Sequence, residues 1–408
     1  MLVSKNFSDL VTLTRASAAW SFSAGGVLTQ AAANVPRLDY DPITRAARGL
    51  LIEEQRVNVI RNNSMVGAVA GAPGTMPTNW NVGGFAGLTR QITAVGVEDG
   101  IPYFEVRMSG TTGDTVGAFF VDPTPTVAGA NGQVWSQSTF CVLVAGSLSG
   151  ISIKHGLYQH DAAQAYLSTV NGPNFVPPSG GKLSAAWRSD AITANRPETA
   201  YLRYGLVASY ANGATVDFTL RIGAPQFELG TFATSTILTT GAQVTRAVDS
   251  AIITDLSKIG FNPSEGTVVI GGECYNANAV QQGGSSPRLM VLYSSANSNE
   301  NMSMYRSSAG NQAGASITTG GAGYPVVGPV IPSGSKFKLA FAYKSGDNAL
   351  CLNGAVVNTL GQMTLPSGID RMSIGSYGGS SGSWSGWLTS VNYIPQRAIN
   401  SKLQTLTT

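Results

Sequence analysis

The chain has 408 residues, of which 43% are hydrophobic and only 12% charged, with 49 glycines and a net charge of +3. The apolar fraction excludes general disorder, and the length suggests two or three domains, each able to bury its own core. The basic residues are scattered, so no nucleic-acid partner is expected, and no apolar run reaches the roughly 18 residues needed for membrane insertion.

Residues 1–61 read as a β-rich segment of short strands broken by turns. Gly25-Gly26 supports a tight turn between WSFS and VLTQ, and Asp41-Pro42 marks another. No piece is long enough to bury a face alone, so this segment must pack on a later domain, a sister chain or a larger assembly. The opening MLVSKNFSDLV has no apolar signal-peptide core, which places the chain outside a secretory route.

Residues 62–240 read as an antiparallel sandwich of jelly-roll type. TRQITAV, PYFEVRMSG, AFFVDP, STFCVLVAG, ISIKHGLYQ, TAYLRYGLVASY and TVDFTLRIG are short strand patterns with Gly, Pro, Asn and Asp between them. From Tyr201 to Ala208 both faces carry apolar groups, which predicts a central strand. Val216, Phe218, Leu220 and Ile222 alternate with Asp217, Thr219 and Arg221 until Pro225, where a bend or an edge position is expected. Residues 231–241, uncharged and rich in Thr, Ser and Gly, read as a linker or extended crossover.

Residues 241–408 read as a second sandwich. Phe337, Leu339, Phe341 and Tyr343 alternate with Lys338, Ala340 and Ala342, and the chain reverses at Ser345–Asn348 and at Asn353-Gly354. Leu388 and Val391 are three apart, which implies a bulge if both face the core. Asn400 is placed to cap a terminal helical turn whose Leu403 and Leu406 pack back. The fold class expected is therefore all-β, two antiparallel sandwiches in series after a short β-rich N-terminal segment. The tripeptide TRA recurs at Thr14, Thr44 and Thr245 and is too short to imply shared structure. Cys141, Cys274 and Cys351, odd in number and each in an apolar run, predict free buried thiols.

The runs TRASAAW, VPRLDYDP, RGLLIEEQRVNVI and RIGAPQFELGTFATSTILTTGAQVTRAVD resemble bacteriophage and prophage virion proteins of the tail-fibre or head-fibre type. YKSGDNALCLNGAVV and GWLTSVNYIPQRAINSKLQTLT resemble concanavalin A-like, or laminin G-like, domains. The resemblance they carry extends over most of the chain. The resemblance implies a virion location, an N-terminal segment (1–61) anchored to other virion proteins, a carbohydrate-binding-module-like jelly roll and a homotrimer. It also implies possible attachment to host surface glycans.

Sugars are held by aromatic faces and by side chains that bond hydroxyls. Trp384, Trp387 and Tyr377 lie in or beside the Gly/Ser-rich loop SYGGSSGSWSGW and are the candidate glycan-binding residues; Trp80, Trp135 and Trp187 lie in turn-rich parts of the first sandwich. The alternative, favoured for Trp387 and Trp384, is that each ring covers a sandwich edge or fills a subunit interface. Hydrolysis is not expected, because it needs paired carboxylates across a cleft. Glu265 and Glu273 stand too far apart along one strand, adjacent Glu53 and Glu54 would point to opposite faces, and Asp217 and Glu228 read as solvent-exposed. His155 and His160, five apart, read as surface-loop residues rather than a metal site with Asp161. Calcium is a further candidate ligand through loop residues Asp347 and Asp370.

Overall fold

The computed structural model describes residues 7–122, 126–274, 286–361, 364–379 and 381–408. Two pairs of antiparallel sheets form two sandwiches, as expected. In the first, strands Tyr166–Asn171, Ser152–His160, Tyr201–Ser209, Val116–Phe120 and Asn81–Gly84 lie side by side in that order. They face a five-stranded sheet ordered Trp187–Thr193, Val134–Gly146, Thr215–Leu229, Ile101–Thr111 and Leu88–Glu98. Alternate residues of both sheets, among them Phe104, Phe119, Leu157, Leu202, Phe218 and Leu220, bury one core between them. Tyr201–Ser209 is central, with neighbours on both sides.

Strand Thr215–Leu229 continues through Pro225 instead of ending there. Its pairing with Ile101–Thr111 stops at Gly223, and its register on Val134–Gly146 shifts between Ser138 and Phe140. Ala224 takes a positive φ of 37°. The proline therefore sits at an irregularity where no ladder donor is required of it.

The second sandwich packs two seven-stranded sheets. One runs Thr12–Thr14, Ser250–Ile253, Arg371–Ile374, Arg288–Tyr293, Asn301–Arg306, Gln312–Thr319 and Ala322–Val330. The other runs Asn358–Leu360, Asn348–Leu352, Lys336–Lys344, Glu265–Cys274, Gly386–Ile394, Ala47–Ile52 and Leu38–Tyr40. Phe337, Leu339, Phe341 and Tyr343 enter the core between the sheets, while Ala340 and Ala342 pack outward under Leu403 of the helix Asn400–Thr407. Asn353 and Gly354 both take positive φ, and the register shift between Gly271 and Gly272 supplies the bulge that turns Leu388 and Val391 toward one core. Asn400 is the first helical residue rather than the cap; its Oδ1 accepts from Arg397 instead. The three cysteines are free and buried.

The N-terminal section does not stand apart. Thr12–Thr14 pairs with Ser250–Ile253 at the edge of one C-terminal sheet, and Ala47–Ile52 pairs with Gly386–Ile394 in the other. The hairpin Ala19–Phe22/Leu28–Ala31 lays Leu28, Trp20 and Phe22 on the outer face of the first sandwich. Short strands with one apolar face take the nearest unpaired sheet edges, and those edges belong to the same chain.

Residues 231–241 are not a free linker either. Phe232, Ala233, Thr234, Ile237 and Thr239 are buried. Their backbone is held by side chains: Ile237 N donates to Gln226 Oε1 (2.7 Å), Thr239 N to Asn63 Oδ1 (2.7 Å) and Thr234 N to Glu228 Oε2 (2.9 Å). Glu228, expected in solvent, is fully buried and accepts from Thr234 N and Oγ1 and from Gln226 Nε2.

Between the sandwiches lies a buried ionic network. Arg15 Nη1 meets Asp249 Oδ1 at 2.9 Å, Arg37 Nη2 meets Asp249 Oδ2 at 2.5 Å, and Arg37 and Arg246 reach Glu53 Oε2 at 2.8 and 3.0 Å. Ser235 adds bonds from its N and Oγ to Glu53. Two of the three TRA tripeptides thus supply arginines to one network, whereas Arg45 of the third is exposed at a turn with positive φ.

Burial alone would push the Glu53 carboxyl up, but Arg246, Arg37 and the Ser235 bonds outweigh it and hold its pKa at about 2, against an ordinary 4.5. A depressed carboxylate stabilises the fold fully above the ordinary value and loses that contribution as pH falls toward 2. Glu53→Gln is expected to cost about 3–5 kcal/mol, since it strands buried guanidinium groups. Urea melts between pH 7 and pH 2.5 check both points: wild-type stability should fall steeply below about pH 4.5, and the variant should lose the part of that slope due to Glu53.

Candidate functional site

A polar concavity in the second sandwich lies on the outer face of strands Arg288–Tyr293, Asn301–Arg306 and Gln312–Thr319. Period-2 alternation builds it. Met302, Met304, Ala315 and Ile317 point into the core, so Asn301, Ser303, Tyr305, Ser316 and Thr318 point out. Register places Tyr305 between Arg288 and Gly314, Ser303 beside Ser316, and Asn301 beside Thr318. The groove measures about 320 Å³, at the lower end of ligand clefts.

Its floor is small and polar, and its walls are aromatic. The Tyr305 ring leans over Gly314, where a Cβ would fall 2.4 Å from Tyr305 Cε2, so glycine makes room for the ring. The Arg288 guanidinium lies 4.9 Å from the Tyr305 ring centroid and donates from Nη1 to Ser303 Oγ at 3.0 Å. Burial pushes the Arg288 pKa down, opposed by Tyr305 and Tyr377. Tyr377 closes the rim: its ring lies 5.8 Å from that of Tyr293, and its hydroxyl donates to Ser298 O at 3.2 Å.

Of the three rings proposed from sequence, only Tyr377 reaches this groove. Trp384 is 1% exposed and packs edge-on against Phe337 at 5.6 Å in the core. Trp387 is covered by the N-terminal strands; its Nε1 donates to Asp39 Oδ2 at 2.7 Å, and Arg48 lies over its ring. Both tryptophans sit where the loop re-enters the sheet, so their apolar area is taken up by packing. Trp80 and Trp135 are buried too, leaving Trp187, 41% exposed, on an edge strand of the first sandwich.

Sequence reading missed Arg288, Asn301, Ser303, Tyr305, Ser316 and Thr318. The signal was present in NMSMYR, where Met alternates with Asn, Ser and Tyr.

The other candidates do not converge. Asp347 pairs with Arg397 at 2.8 Å, and Asp370 accepts from Ser295 N and Oγ. Among the described residues no group of three metal-binding side chains occurs. Glu53 and Glu54 are structural, paired with arginines at the junction, and Asp217 is an exposed partner of Arg107. His155 and His160 are not loop residues: both lie on strand Ser152–His160 and are buried. His155 Nδ1 contacts Asp190 Oδ2 at 2.8 Å, and its Nε2 has no partner among the described residues. Residues 378–382 match the G-x-S-x-G spacing of a hydrolase elbow, but Ser380 lies outside the described residues. The flanking elements are strands Arg371–Ile374 and Gly386–Ile394, where an elbow needs strand-to-helix.

No family model matches the chain, and no curated protein matches it. Among solved structures it is similar to domains LG4-5 of the mouse laminin alpha1 chain, with 9% identity and a TM-score of 0.26 over 76% of this chain and 94% of that one. It is also similar to the CBM22-1-CBM22-2 tandem domain of Paenibacillus barcinonensis Xyn10C, with 9% identity and a TM-score of 0.26 over 80% and 98%. Trypanosoma rangeli sialidase aligns with 10% identity and a TM-score of 0.29 over 97% and 76%. Likenesses at this level carry no argument, and the all-β architecture rests on the strand pairing itself.

Trp384→Ala is expected to lower stability by about 3–5 kcal/mol, as for a core ring, while Trp187→Ala stays within about 0.5 kcal/mol. Chemical denaturation of both variants checks this; a stable Trp384→Ala protein would contradict the core placement.

Proposed function

We propose that the chain is a virion structural protein, a fibre or decoration component, whose C-terminal sandwich holds host surface glycans in the groove around Tyr305. The groove carries the reading. Its described liners offer hydroxyls, one amide, ring faces and one cation, with no pair of carboxylates among them, a set that suits holding a sugar rather than hydrolysing it. On this reading the protein is not an enzyme.

The virion location and homotrimer rest on the resemblance of the N-terminal and junction runs to phage fibre proteins. Three grooves on one trimer would add avidity to weak individual contacts. Although its strands are committed within the chain, the N-terminal section keeps Val35, Leu38 and Ile43 exposed, an apolar surface for other virion proteins.

A second reading, a capsid, collar or tail component without glycan binding, is favoured by the edge strand Ala322–Val330. Its Tyr324, Val327 and Val330 are exposed and suit a neighbouring subunit. A glycan array with the full chain, its oligomeric state set by light scattering, separates the two. Binding should weaken about tenfold or more in Tyr305→Ala and in Gly314→Val, which displaces the ring, with melting temperatures near wild type. Failure to bind any glycan as a folded oligomer would leave the structural reading.

A further inference from the structure

We infer that the groove selects acidic saccharides, gripping a sugar carboxylate with the free edge of the Arg288 guanidinium. This rests on the reading of the groove as a saccharide site and names the ligand class within it.

The first observation is charge. The described lining residues include one cation, Arg288, and no acid. Acids near the rim are engaged elsewhere: Glu300 accepts from Gly320 N at 2.7 Å and Ser367 N at 2.9 Å, and Asp370 is bonded to Ser295. Elsewhere in the fold Arg15, Arg37, Arg56 and Arg246 each meet a carboxylate, while buried Arg306 bonds Ser333 Oγ. Arg288, half-buried, has no acidic partner among the described residues.

The second observation is geometry. Nη1 is held by Ser303 Oγ, which fixes the plane of the guanidinium against Tyr305. Nε and Nη2 bond no described residue and are not buried. That edge presents two parallel N–H groups, the fork that matches both oxygens of a carboxylate. Ser316, Thr318 and Asn301 lie further along the floor, where a ring attached to that carboxylate would place its hydroxyls. Because Ser303 and Tyr305 already order the side chain, little rotamer freedom is lost on binding.

The test uses the full chain and a panel of oligosaccharides carrying uronic or nonulosonic acids, each beside its methyl ester, with neutral and sulfated oligosaccharides alongside. The acids should bind about tenfold to a hundredfold more tightly than their esters. Arg288→Gln should erase that difference, and Arg288→Lys should keep part of it, since a point charge remains without the fork. If Arg288→Gln fails to fold, the acid-to-ester ratio of the wild type decides. Equal binding of acid and ester, or undiminished selectivity in Arg288→Gln, overturns the inference and leaves the saccharide site standing. Preference for sulfated sugars over carboxylates also overturns it. No binding to any member of the panel or the array removes the saccharide reading and this inference together.

Discussion

The ionic network between the sandwiches is the constraint on which the rest of the structure depends. Arg15 and Asp249, which meet within it, are 234 residues apart in the chain. Arg37, Glu53, Ser235 and Arg246 converge on the same point. Hydrophobic burial is non-directional and tolerates slippage, whereas a buried guanidinium must find its acid at bonding distance. Such a network adds little net stability, because desolvation offsets most of the Coulomb gain. Its effect is selective: any arrangement that displaces one strand leaves a buried charge unpaired, at about 3–5 kcal/mol. The network thus orders the path of the N-terminal section, the crossover and the first strand of the second sandwich together.

From that ordering follows the role of the N-terminal section. Once Arg15 and Arg37 are fixed, Thr12–Thr14 lies along Ser250–Ile253, and Ala47–Ile52 lies along Gly386–Ile394. Both sheets of the C-terminal sandwich gain strands from the far end of the chain. Leu13, Leu50 and Ile52 then join the core with Met290 and Leu339. The C-terminal sandwich cannot complete its core until residues 12–52 arrive, a non-local closure of the kind that slows folding. The same strands cover Trp387 and so remove it from the surface.

What was legible in the sequence was local. Alternation marked the strands, Asn353-Gly354 marked a hairpin, and the spacing of Leu388 and Val391 marked a bulge. Partnership was not legible, because a period of two says which face is wet and not which strand lies alongside. Polar burial was hidden for a related reason. Glu228 and His155 read as surface residues until their partners are known, and nothing in the sequence around Arg37 or Glu53 marks them as buried. The uncharged run 231–241 looked like a linker because its bonds go to the side chains of Asn63, Gln226 and Glu228 rather than to a neighbouring strand. Aromatic rings misled in the opposite direction. A tryptophan in a Gly/Ser-rich loop looks available, yet Trp384 carries too much apolar area to stay out of the core it borders.

The groove shows the reverse economy. Its side chains are small and unremarkable one at a time, and their meaning comes from the sheet that holds them. Met302, Met304, Ala315 and Ile317 fix the inner face, which fixes the outer positions of Ser303, Tyr305, Ser316 and Thr318 without further adjustment. A floor of serine, threonine, asparagine and glycine leaves the sheet surface low, so Tyr305, Tyr377 and Arg288 stand above it as walls. Groups carried on rigid strands are ordered before a ligand arrives, and the affinity they give is not spent on ordering them. Tyrosine and arginine on such a surface therefore stay outside the core, where the tryptophans of the neighbouring loop do not, because the core behind the sheet fixes their positions.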